Sequence, residues 1–219
     1  MTKLFSDGDL RESQRYMKLS VDAIMAIAFA IALGIVSVSR LFAPIFWGED
    51  FAPCAYILSA LALSIPFSGF ANVIRMQYLI PNGMDGAYIL SVILGAVSNL
   101  TANSLLIPRC GALGAAVGTV IAEGVVCAAQ CLAVKKRIDI LAYLKSTAFF
   151  GMAGLLMYGA VQVLDQRAEI TVSWLLLEIV VGGSVYCILS VLYLYHTKNE
   201  LLMTALQKLG GAHQNNDRG

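Results

Sequence analysis

Charge is the first thing this sequence lacks. Only 13% of its 219 residues are Asp, Glu, Lys or Arg, against about a quarter in ordinary soluble domains. A net charge of +1 supplies no basic surface for nucleic acid. Histidine occurs only at His196 and His213, neither beside a ligand set. The five cysteines (Cys54, Cys110, Cys127, Cys131 and Cys187) are scattered. Cys127 and Cys131 share a helix face, but with no His or Asp nearby they read as small apolar packing residues. Period-two alternation is missing, which argues against a transmembrane β-barrel. Also missing are a nucleophile with its base, a phosphate-cradling glycine loop and an acidic Mg²⁺ cluster, so the reading is a non-enzyme without cofactor or metal. A polar start followed by an apolar run too long for a signal core argues against a cleavable signal peptide.

Hydrocarbon is what the chain has instead: 58% of residues are hydrophobic and mean hydropathy is +0.75. Apolar spans fall at 20–46, 52–74, 87–107, 110–134, 144–164 and 170–196. Each approaches or exceeds the roughly 20 residues that cross a hydrocarbon core. The expectation is an all-α membrane protein with six transmembrane helices. Residues 1–19 read as a cytoplasmic N-terminal segment, 20–134 as four helices and 144–196 as two more. Residues 197–219 read as a cytoplasmic tail that begins as a weak amphipathic helix (Leu201, Leu202, Ala205, Leu209) and ends in a Gly/Asn/Gln-rich, disordered stretch.

Lys and Arg set the orientation. With the N-terminus inside, twelve of them fall in cytoplasmic segments, and only Arg109 and Arg167 fall outside. Both termini are therefore expected in the cytoplasm. Trp47 and Trp174 then share the outer interface, where indole rings favour the headgroup layer.

Polar residues inside the spans are the functional candidates. Gly95, Asn99 and Asn103 recur at four-residue steps, on one helix face. Glu123 lies mid-span in the next helix, where a charge costs about 2.5–3.5 kcal/mol on insertion scales. It reads either as a cavity-facing acid or as a carboxyl bonded to a neighbouring helix. Asn99 and Asn103 read either as ligands for sugar hydroxyls or as interhelical ties worth about 0.6 kcal/mol per contact. Gly114, Gly118 and Ala122 form a small-residue stripe suited to close helix packing. Arg40 and Glu178 each lie about two turns inside an outer end, placed to snorkel or to pair with each other. Arg75 and Gln77 close the second helix, at the cytoplasmic face where an anionic headgroup would enter.

Several runs together carry a resemblance: LFSDGDLRESQRYMKLS before the first span, LFAPIFWGEDFAPCAYILSAL (41–61), QYLIPNG (77–83), SNLTANSLLIPRCGALGAAVGTVIAE (98–123) and the basic KKR (135–137). Over residues 4–196 the chain resembles the C-terminal part of bacterial polysaccharide, or lipid-linked oligosaccharide, flippases of the multidrug/oligosaccharidyl-lipid/polysaccharide exporter superfamily. Members carry two six-helix lobes around a central cavity, sometimes with an extra helix pair. The resemblance implies that the first four spans here correspond to the end of the second lobe. The last two would correspond to the extra pair, which in a related lipid flippase lines a groove for the lipid tail. It implies an activity, moving an isoprenoid-pyrophosphate-linked oligosaccharide across the bacterial plasma membrane. Its partners would be membrane lipids, that substrate, and a further lobe from a longer frame or a separate chain. Mapped by motif, the pathway residues are Arg75, Gln77, Asn99, Asn103 and Glu123, with Arg40 and Glu178 as weaker candidates and Glu123 the place for ion coupling. Two other readings stay open: a drug or metabolite antiporter of the same superfamily, and a non-transporting remnant or accessory subunit.

Overall fold

A computed structural model describes residues 10–197, so residues 1–9 of the expected N-terminal segment and the expected cytoplasmic tail beyond Thr197 lie outside the described residues. The first helix, α1 (Leu10–Trp47), carries Pro44 in its last turn and ends at Gly48. A short 3₁₀ turn (Glu49–Phe51) leads into α2 (Cys54–Ala62) and α3 (Ser64–Ile74). These two are one span interrupted at Leu63. Pro66 has no N–H to give the Ala62 carbonyl, and the Leu63 N–H bonds Ala60 instead, at 3.1 Å. A π turn (Arg75–Leu79) closes the span, with the Ile80 N–H donating to the Arg75 carbonyl at 3.0 Å.

After the Pro81–Asn82–Gly83 turn comes α4 (Asp85–Val134), 50 residues long. It is helical throughout except at Gly111, whose φ of 56° and ψ of −134° reverse the chain. A side chain is strained there, and glycine is not. Residues 85–110 and 112–134 fold back on each other as two arms. Gly95 faces Ala122 and Val126, Gly118 faces Asn103, and a Cβ on Gly114 would lie 2.5 Å from the Leu106 carbonyl oxygen. The expected all-α membrane architecture is present, and the third and fourth expected spans are the two arms of α4, joined end to end at Gly111. Among the described residues, five continuous apolar helical segments are long enough to cross a membrane. Continuous segments number five rather than six because the expected Pro108–Arg109 connection is helical and Gly111 alone makes the turn.

The chain ends with α5 (Ile140–Asp165) and α6 (Val172–His196). Asp139 caps α5 by accepting the Ala142 N–H at 3.1 Å, and Thr171 caps α6. The two are antiparallel: Gly182 meets Val161 and Met157, and Phe149 stacks on Tyr193 with ring centres 3.8 Å apart. Both pack along α1, where Leu33 lies against Gly154 and the Tyr186 hydroxyl donates to the Ala26 carbonyl at 2.6 Å.

A buried cluster at one end of the bundle joins the start of α1 (Met17, Val21) to Phe70, Tyr78, Val134 and Phe150. Outward faces stay apolar and exposed, as at Leu90, Val97, Leu100, Leu155, Val180 and Leu192. Water would not solvate such faces, whereas lipid tails do, and helices are suited to the bilayer because they satisfy their own backbone groups. This is a multi-pass membrane protein.

Candidate functional site

The α3 face that precedes the π turn carries Ser64, Ser68 and Asn72 at four-residue steps. With Ile24, Ile27 and Ile31 of α1 and Glu123 of α4, these residues line a cleft of about 430 Å³. Glu123 is half-buried on its wall. Asn72 turns its amide oxygen to Arg75, whose Nη2 donates to it at 2.6 Å. The Arg75 guanidinium also lies 5.4 Å from the centre of the Tyr88 ring, within cation–π range. Its Nε is buried with no hydrogen-bond partner. The arrangement is a strip of two hydroxyls, an amide and a carboxylate, with a guanidinium where the strip meets the π turn. Hydroxyls and amides can bond a polyhydroxylated group, and a guanidinium suits a phosphate.

The structure thus relates two of the sequence candidates, Arg75 and Glu123, through Asn72. The others lie elsewhere. Gln77 sits on the π turn with a buried amide oxygen that has no partner. Asn103 donates to Asn99 Oδ1 at 2.9 Å, while its own Oδ1 is buried against Gly118 without a hydrogen bond. Asn103 therefore belongs to the seam between the α4 arms, where Gly114 and Ala122 also lie. Arg40 pairs with Asp165 rather than with Glu178 through a hydrogen bond: Nη2 reaches Oδ1 at 2.6 Å and the Asp165 carbonyl at 2.8 Å. Glu178 is 1% exposed, neither of its oxygens has a hydrogen-bond partner, and Arg40 and Asp165 are its charged neighbours. It faces a cleft of about 320 Å³ between α1, α5 and α6, lined otherwise almost wholly by apolar groups such as Gly34, Met157 and Gly182.

Sequence reasoning missed Asn72, Ser64 and Ser68, whose four-residue spacing was there to be read. It also missed three polar contacts between helix arms: Asp165 with Arg40, Asp22 with Ser146, and Gln130, which donates to Ser91 at 3.1 Å. Among the described residues, no group of three His, Cys, Asp or Glu side chains is placed to hold a metal.

Neither a protein-family model nor a curated protein matches the chain. A solved structure does: Lipid II flippase MurJ in an inward closed conformation, with a TM-score of 0.75 and 18% sequence identity. The likeness is one of fold. It covers 90% of this chain and 42% of that one, so the chain spans less than half the length of the MurJ structure.

Proposed function

We propose that this chain forms part of a flippase that carries an isoprenoid-pyrophosphate-linked oligosaccharide across the bacterial plasma membrane. The observation that carries this reading is the MurJ-like fold over 90% of the chain. The Glu123 cleft adds chemistry that suits the substrate. Ser64, Ser68, Asn72 and Glu123 would exchange hydrogen bonds with sugar hydroxyls, and Arg75 would meet the pyrophosphate at the cytoplasmic side. Gln77, Asn99 and Asn103 would extend the polar route, and Glu123 would be the group through which an ion gradient acts. Both termini would be cytoplasmic, as the Lys and Arg distribution indicates.

Alternating access needs two repeats rocking about a midplane site, so the active unit would include a second lobe from a longer frame or a separate chain. The test is reconstitution, with and without the product of any adjacent frame, into liposomes that carry a fluorescent polyprenyl-pyrophosphoryl oligosaccharide in one leaflet. The expected result is time-dependent exposure of the label to a membrane-impermeant quencher, slowed by Glu123→Gln. Label that stays in its leaflet under both conditions overturns the proposal.

A further inference from the structure

A second polar cleft opens at the other end of α1, where α1, α2 and α5 meet. Its volume is about 530 Å³, and its lining includes Arg40, Tyr56, Tyr158, Gln162 and Asp165. It shares no residue with the Glu123 cleft. On α1 the Glu123 cleft takes residues 24–31 and this one 36–40, a displacement of roughly 15 Å at 1.5 Å per residue. It lies at the end that carries Trp47 and the α5–α6 turn.

Three properties define its ligand. First, the only charges on its wall cancel: Arg40 and Asp165 form an ion pair. An anion would meet the carboxylate, and a cation the guanidinium, so a neutral ligand fits best. Second, the wall is rich in unused hydrogen-bonding capacity. Among the described residues, the Tyr56 and Tyr158 hydroxyls, the Gln162 amide and Arg40 Nη1 make no hydrogen bond. These groups include donors and acceptors side by side, the pattern that vicinal hydroxyls satisfy. Third, two phenol rings border the cleft, and such rings can cover the apolar face of a pyranose. The volume lies within the roughly 300–1,000 Å³ typical of small-molecule sites.

We infer that this cleft is a saccharide-binding site, distinct from the Glu123 cleft and placed at the Trp47 end of the bundle. Under the function proposed above, it would hold the sugar after crossing. The inference rests on that reading for the natural sugar, and not for the binding itself.

The experiment uses the full chain in lipid nanodiscs, with maltose, lactose and chitobiose as probes and saturation-transfer NMR as the readout. At least one disaccharide is expected to show transfer. Gln162→Leu and Tyr158→Phe are each expected to weaken binding about fivefold, the scale of one lost hydrogen bond, while remaining monodisperse. In a Glu123→Gln background, Gln162→Leu is expected to weaken the remaining binding by the same factor. Absence of transfer for all three sugars overturns the inference, as does binding that survives both cleft variants. A Gln162→Leu effect that vanishes in the Glu123→Gln background also overturns it, because the sugar would then sit in the other cleft. Saccharide binding without flipping would sink the proposed function and leave this site standing, and flipping without binding here would do the reverse.

Discussion

The amide oxygen of Asn103 occupies the space where a side chain on residue 118 would begin. A Cβ added to Gly118 would also lie 3.2 Å from Asn103 Cγ and 3.6 Å from the Ala102 methyl. The two arms of α4 approach this closely only because residue 118 has no side chain. In a bilayer, where lipid tails are as apolar as Leu, such proximity is a main source of helix association.

Gly118→Val is therefore expected to force the arms apart at a cost of about 2 kcal/mol, the usual scale of overpacking. Thermal unfolding of the purified chain in detergent measures it. Gly124→Val is the control, because open space surrounds Gly124. Equal loss in both variants would mean that the seam is not tightly packed.

The Arg40–Asp165 pair ties α1 to the end of α5. The Arg40 side chain is 54% exposed on the wall of an open cleft, so the pair is not sealed inside the bundle. Asp165→Asn is expected to cost about 1 kcal/mol, at the upper end for exposed ion pairs. A double-mutant cycle with Arg40→Gln checks this. Strictly additive losses would show that the pair contributes no coupling.

Glu123→Gln keeps the shape of the cleft wall and removes its charge. The expected outcome in the reconstituted transporter is a fall in flipping of about tenfold, the scale of one charge-assisted hydrogen bond. Thermal stability should stay level. Full activity at every imposed ion gradient would remove Glu123 from any coupling role.

Topology gives a fourth prediction. Cys110 is exposed beside the α4 bend, at the end that also holds Trp47. A membrane-impermeant maleimide is expected to label it from outside intact cells. A cysteine at Lys136 should react only after permeabilisation. The opposite pattern would invert the orientation read from Lys and Arg.

Most of the bundle was legible in the sequence, because a hydrophobic run of sufficient length leaves a helix few other choices. The small-residue spacing at 114, 118 and 122 likewise marked a face before any partner was known. What could not be read was which helices meet. Asp165 looked like part of a polar turn, and nothing in its neighbourhood names Arg40, 125 residues earlier. Asn72 belongs to Glu123's cleft for the same reason: the cleft is made by packing between helices, and helical period describes one helix at a time. The misplaced helix boundary has a local cause. Pro108 and Arg109 look like a loop, but Gly111 makes the turn, so the polar break expected between the arms is never needed.

That one-residue reversal bears on how the protein enters the bilayer. With no extended hydrophilic stretch to thread across, the arms holding Asn99, Asn103 and Glu123 are suited to partition together as a prefolded pair. The Asn103–Asn99 bond forms within the first arm, and paired entry would add the cover that the second arm gives the Asn103 amide oxygen at Gly118.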